Sequence, residues 1–142
     1  MLWYLALKLE EERKDIVGQV DYIIVGNGIA GLSAAETIRK KDGNGKILMI
    51  SAEEYLTYYR VKLSHFISKD FTEKDFFVHD ENWYKERNID LILGKSVSKI
   101  NTDLNELELS DGSKISYHKL LLANGSRPFV PPIKGNDKEG DE

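Results

Sequence analysis

The chain has 142 residues, 41% hydrophobic and 31% charged, with a formal net charge of −4; a chain of this size can bury roughly 68–70% of its unfolded surface, and the composition excludes wholesale disorder. Cysteine is absent, which excludes a disulfide framework, a thiolate zinc site and a redox dithiol carried by this chain. Lys and Arg scatter among acids without forming a basic stripe, which argues against nucleic-acid binding, and the three histidines have no metal-ligand spacing.

The opening MLWYLALKLEEERK holds an apolar run that stops at Leu9, lacks basic residues ahead of it and leads into acids. It is too short for a membrane span and lacks the form of an export signal. Residues 1–20 are expected to be an N-terminal extension of a cytoplasmic protein, with no role assigned. Tyr22–Val25 is a β-branched, apolar run without alternation, as expected of a parallel strand buried on both faces. From Ile29 to Lys41 the apolar and small residues lean to one side, and Gly43 and Gly45 supply a stop. Lys46–Ile50 then reads as a second strand, completing a right-handed parallel βαβ unit.

An aromatic stretch follows (Tyr55, Tyr58, Tyr59, Phe66, Phe71, Phe76, Phe77), expected to pack mostly as core around short helices near residues 61–68 and 81–87. Ile89–Leu93 is a third strand, and Val97–Ile100 a bent or separate one after Gly94. Glu106–Leu109 and Lys114–Tyr117 flank Asp111-Gly112, a strong hairpin signal. Leu120–Ala123 reads as another buried strand. The polar ending, residues 134–142, is expected to be a tail or linker.

Between the first strand and its helix stands VGNGIAG, with Gly26, Gly28 and Gly31 in the G-x-G-x-x-G spacing. In that motif the first glycine permits a tight turn, the second leaves room for a pyrophosphate, and the third lets helix approach sheet. The helix start offers unpaired N–H groups and a positive dipole end to the same anion. An acid is expected about 20 residues on, to accept hydrogen bonds from ribose hydroxyls. Glu53 stands 22 residues past Gly31, with Glu54 as its competitor. These elements predict an α/β class: a Rossmann-type three-layer domain over residues 21–133, with a parallel sheet and an inserted antiparallel β-meander.

Four ordered blocks, VGNGIAGLSAA, ILMISAEEYLTYYRVKLS, NWYKERNIDLILGKSVSKI and YHKLLLANGSRPFVPPIKG, together resemble the FAD-dependent pyridine nucleotide-disulfide oxidoreductase superfamily. Within it they are most similar to the NADH:rubredoxin reductases and the flavin portion of NADH-dependent assimilatory nitrite reductases. The resemblance covers about Asp21 to Gly135 and implies that Gly26, Gly28, Ile29, Ala30 and Gly31 hold FAD pyrophosphate, with Glu53 on the ribose. It implies Arg60 near the phosphates, where a forked guanidinium can act bidentately. It places Ser64 and His65 toward the isoalloxazine, the Val97 backbone at the adenine, and Ala123, Asn124 and Gly125 in a turn closing over the dinucleotide. Asn124 stands where the family usually has threonine, and His65 where many members have lysine.

The family implies hydride transfer from NAD(P)H to flavin and onward electron transfer to rubredoxin, a nitrite reductase centre or another redox protein. Members continue with an NAD(P)H-binding domain, a segment returning to the FAD domain, and a C-terminal interface domain. The FAD fold is therefore expected to be incomplete at its C-terminus, and the isolated chain inactive. No catalytic residue is assigned. The alternative is a non-catalytic dinucleotide-binding or assembly module. A plain NAD-binding dehydrogenase domain is disfavoured, because the YLTYYRVKLS block and the Asp111-Gly112 meander have no place in it.

Overall fold

The computed structural model describes residues 19–63, 76–126, 129 and 131–133. A six-stranded sheet organises them, in the order β3-β2-β1-β6-β5-β4. Its strands are β1 (Val20–Val25), β2 (Ile47–Ile50), β3 (Ile89–Ile92), β4 (Val97–Asn101), β5 (Glu106–Leu109) and β6 (Lys114–Leu122). Helix α1 (Ile29–Lys41) joins β1 to β2, and helix α2 (Glu81–Glu86) precedes β3. β1 pairs in parallel with both β2 and β6, and β2 with β3. β4, β5 and β6 run antiparallel as a meander.

Side chains alternate along each central strand and sort into two cores. On one side Ile24, Ile47, Met49 and Ile89 pack with Leu32 and Ala35 of α1 and Tyr84 of α2. On the other, Ile23, Leu48, Ile50 and Ile92 pack with Leu107, Leu109, Ile115 and Tyr117. Because those last four belong to the meander, it folds back over the face opposite the helices and makes the third layer. All four residues of β2 are buried, each such aliphatic side chain contributing about 1.5–3 kcal/mol.

Helix α1 carries no acid in its first turn and Arg39, Lys40 and Lys41 in its last, where cations meet the negative end of the helix dipole. Asp42 terminates it: its carboxylate accepts the N–H groups of Asn44 (3.0 Å) and Gly45 (2.8 Å) and the Tyr22 hydroxyl (3.0 Å). Arg39 clamps the same end, donating to the carbonyls of Arg87 (2.7 Å), Asn88 (2.8 Å) and Asp42 (3.0 Å). Asp80 caps α2 by accepting the Trp83 N–H at 3.0 Å.

Two expectations need correction. None of the described aromatics between Tyr55 and Phe77 is fully buried. Tyr58 and Phe76 stack at 4.8 Å across an isolated Tyr58–Phe77 bridge, closing a surface loop instead of filling a core; Phe66 and Phe71 lie outside the described residues. Of the short helix expected near residues 61–68 the described part is helical, beginning with a 3-10 turn at Arg60–Lys62, and residues 64–68 lie outside the described residues. The strands expected at Lys114–Tyr117 and Leu120–Ala123 are one strand of nine residues. Its end is not buried, since Leu121 and Leu122 are 41% and 56% exposed.

Candidate dinucleotide-binding site

The glycine turn lies at the carboxyl ends of β1, β2 and β6. Open α/β sheets bind ligands outside these ends, where connections diverge to either side. That divergence falls between β1 and β6 here, since the chain leaves β1 toward β2 on one side and later returns beside it as β6. Gly26 donates its N–H to the Ile50 carbonyl at 2.8 Å, and Ala123 donates to Val25 at 2.7 Å. Gly26 has φ +114°, and a Cβ there would sit 2.2 Å from the Ala123 carbonyl oxygen. A Cβ on Gly31 would sit 2.1 Å from the Gly26 carbonyl oxygen. Both positions must therefore lack a side chain for the protein's own backbone to close.

Gly28 differs. Its φ of −94° and ψ of −177° suit any residue, and a Cβ there would meet nothing within 4 Å. No protein contact demands a glycine at this point, and the space above it is open. Gly28 is also the N-cap of α1, without a side-chain hydrogen bond. The first-turn N–H groups of Ile29, Ala30 and Gly31 have no partner within the helix and belong to the turn that Gly28 begins. An uncapped helix end beside bare backbone is suited to an anion.

Behind the turn runs a polar relay that sequence reasoning missed. The Tyr84 hydroxyl donates to Thr57 Oγ1 (3.0 Å), and Thr57 donates to Asn27 Oδ1 (2.5 Å). Asn27 Nδ2 in turn donates to the Tyr55 carbonyl (3.0 Å). Thr57 is wholly buried and Tyr84 nearly so, and burial raises the Tyr84 phenol above its ordinary value. The relay ties the middle residue of the Gly-Asn-Gly turn to the loop after β2 and to α2. The motif treats Asn27 as a spacer, and its partners lie 28 to 57 positions along the chain, so no local signal reveals it.

A second group forms beyond β2. Arg60 Nη2 donates to Glu53 Oε1 at 2.6 Å, with side chains 67% and 42% exposed. The Arg60 guanidinium also lies 5.6 Å from the Tyr58 ring centre. Burial first, and then the Glu53 carboxylate beside its hydroxyl, raise the Tyr58 phenol. Glu54 turns elsewhere, its Cγ 3.2 Å from where a Gly94 Cβ would stand. The connection from β3 to β4 is stitched to this loop, Gly94 N–H donating to Glu53 (3.1 Å) and Lys95 N–H to Ser51 (2.9 Å).

Of the residues singled out from sequence, Gly26, Gly28, Ile29, Ala30 and Gly31 come together with the Ala123–Asn124–Gly125 turn. Glu53 and Arg60 form a pair beyond β2, and half-buried Val97 opens β4 against the meander-side core. Ser64 and His65 lie outside the described residues. Among the described residues no cluster of His, Asp or Glu could hold a metal ion.

Residues 20–142 match the family model described as pyridine nucleotide-disulphide oxidoreductase. The chain is 39% identical over 127 residues to a nitrite reductase [NAD(P)H] of Bacillus subtilis (strain 168), covering 87% of this chain and 16% of that protein. Its fold superposes with a TM-score of 0.74 on NADH:rubredoxin oxidoreductase from Clostridium acetobutylicum, at 32% identity, over 85% of this chain and 32% of the other. A chain of a covalent putidaredoxin reductase–putidaredoxin complex gives 0.73 at 30% identity, over 80% of this chain and 28% of the other. The chain thus spans a third or less of the length of each.

Proposed function

Because the chain belongs to the pyridine nucleotide-disulphide oxidoreductase family, we propose that it is the FAD-binding portion of an NAD(P)H-dependent flavoprotein oxidoreductase. The carrying observation is the contrast among the three glycines. Two are required by the protein's own contacts, while Gly28 leaves an open cradle that a Cβ would fill, at an uncapped helix start. A pyrophosphate fits that cradle: it needs close backbone approach and N–H donors, and no side chain intervenes.

In this reading the N–H groups of Ile29, Ala30 and Gly31 hold the pyrophosphate, and the Ala123–Asn124–Gly125 turn, resting on Gly26, borders it. Glu53 would accept hydrogen bonds from the adenosine ribose, prepositioned by its ion pair with Arg60, whose remaining guanidinium N–H groups would be available to the phosphates. Val97 offers backbone to the adenine, and Ser64 and His65 belong toward the flavin ring. The relay from Tyr84 through Thr57 to Asn27 holds the turn still. When bound, FAD supplies acceptance of a hydride from reduced nicotinamide and release of electrons onward. The proposed acceptor is a redox protein such as rubredoxin, or a nitrite reductase centre, and the proposed location is the cytoplasm. No helix among the described residues is long and apolar enough to cross a membrane.

The test is titration of the purified chain with FAD and NADH separately, following flavin absorbance and tryptophan fluorescence. Saturable binding selective for FAD is expected. Equal binding of the two, or none of FAD in a folded chain, overturns the assignment, and FAD binding that never supports electron transfer in the complete enzyme would favour a non-catalytic module.

A further inference from the structure

The chain carries three Asn-Gly pairs, at Asn27-Gly28, Asn44-Gly45 and Asn124-Gly125. Asparagine is among the thermolabile residues, and it is most open to attack before glycine, whose backbone nitrogen has no adjoining Cβ to shield it. In that reaction the glycine nitrogen gives up its proton and bonds to the asparagine Cγ, while Nδ2 leaves with that proton as ammonia. Water then opens the resulting succinimide at either carbonyl and leaves aspartate or isoaspartate. The ring closes only if the amide can turn its Cγ toward the next backbone nitrogen.

The fold treats the three pairs differently. Asn124 and Gly125 are exposed, and a Cβ on Gly125 would meet nothing within 4 Å. Asn44 is exposed too, but the nitrogen that would attack it is engaged, Gly45 N–H donating to Asp42 Oδ1 at 2.8 Å. At Asn27 both ends of the amide are held. Oδ1 accepts the Thr57 hydroxyl at 2.5 Å, and Nδ2 donates to the Tyr55 carbonyl at 3.0 Å. Thr57 is itself fixed, being wholly buried and accepting the Tyr84 hydroxyl at 3.0 Å. Turning the Asn27 amide would break both of its bonds and leave the buried Thr57 hydroxyl without its acceptor.

The clamp sits where it is needed. Gly28 meets no protein contact that demands a glycine, and keeping it bare for a ligand makes the residue before it labile. We propose that Asn27-Gly28 is a latent deamidation site, kept silent by the Thr57 and Tyr55 hydrogen bonds that hold the Asn27 amide. The consequence for binding rests on the site reading given above: reaction there would set a carboxylate, or an extra backbone carbon, in the turn beside the pyrophosphate cradle and weaken its hold on the cofactor. The protection itself needs no FAD.

Ageing the full chain without FAD at mildly alkaline pH, followed by trypsin and mass spectrometry, reads the three pairs separately, because they fall in different tryptic peptides. Asn27 is expected to react at least about tenfold more slowly than Asn124, the effect of roughly one net hydrogen bond. In concentrated urea the two rates should converge. In the folded chain Thr57→Val should speed Asn27 severalfold, and Thr57→Ser, which keeps the hydroxyl, should not. Leu107→Ala, which weakens the same sheet from the meander side, should leave the ratio of the two rates as in the parent. Reaction of Asn27 as fast as Asn124 in the folded parent overturns the proposal, as does a gap that persists in urea. So does a Thr57→Val chain in which Asn27 reacts no faster, or more slowly, which would make the hydroxyl an activator of the amide. A Leu107→Ala chain that matches Thr57→Val would credit overall stability and overturn it as well. No cofactor enters the assay, so each of these failures leaves the FAD assignment standing.

Discussion

Replacing Gly28 by alanine separates a glycine kept for the protein from one kept for a ligand. At φ −94° and ψ −177° alanine is unstrained, and its methyl would meet no protein atom within 4 Å. Two opposing stability effects remain. Alanine restricts the unfolded chain, worth about 0.4–1 kcal/mol, but is a poorer N-cap than glycine by about 0.5–1 kcal/mol. Their near cancellation predicts a fold within about 1 kcal/mol of the parent. Binding should respond otherwise, because in the proposed reading the methyl would stand where the pyrophosphate has to approach. Moving that anion outward weakens its helix-terminus interaction, worth about 0.3–1 kcal/mol, and at least one charge-assisted hydrogen bond of about 1.5–3 kcal/mol. The sum of about 2–4 kcal/mol corresponds to roughly 30- to 1000-fold weaker FAD binding. Gly26→Ala and Gly31→Ala should instead lose stability, since each Cβ would fall within 2.2 Å of a carbonyl oxygen; at φ +114°, Gly26→Ala adds backbone strain of about 1–3 kcal/mol. Urea unfolding and FAD titration of the three variants provide the assay. A Gly28→Ala chain that binds FAD like the parent would refute the reasoning, and so would one that unfolds like the other two.

Four further outcomes can be measured. Thr57→Val leaves the buried Tyr84 hydroxyl and Asn27 Oδ1 without their partner and should cost about 2–4 kcal/mol in urea unfolding; Tyr84→Phe, which removes one end of the relay, should cost less. Arg60→Ala breaks an exposed ion pair and should change stability by less than about 1 kcal/mol, while weakening FAD binding roughly tenfold; unchanged affinity would remove Arg60 from the site. Arg39→Met strips three carbonyls of their donor, and a loss of about 1–3 kcal/mol is expected by the same unfolding assay. The Asp42 carboxyl is held below its ordinary value by the Gly45 N–H first, then by Asn44 and Tyr22. Its stabilising contribution is therefore full above the unfolded value of about 3.9 and fades as pH falls through the lower folded value. Midpoints for the parent and Asp42→Asn should converge on acidification, and a gap that widens would contradict the sign.

The βαβ core was legible because its signals are local: an unbroken apolar strand, three glycines at fixed spacing and a helix ending in cations. The Asp111-Gly112 hairpin was legible for the same reason, and its register pairs Leu107 with Ile115. β6 read as two strands because His118 and Lys119 interrupt the apolar run. Both are exposed, His118 Nδ1 meeting Asp21 at 3.4 Å, near where the strand passes from β5 to β1. The surface aromatics misled because ring stacking satisfies them without burial. Asn27 looked like a spacer because its role depends on Thr57 and Tyr84, which only the tertiary fold brings beside it.

The nine-residue β6 serves two masters, and this sets where the chain can accept change. Its first residues zip antiparallel to β5 and its last ones parallel to β1. One amino acid inserted between Tyr117 and Leu120 would invert every later side chain and slide Ala123 off its seat on Gly26. Added loop at the hairpin tip, Ser110–Ser113, would disturb neither ladder. Length variation among related chains should therefore gather at that tip and spare the strand.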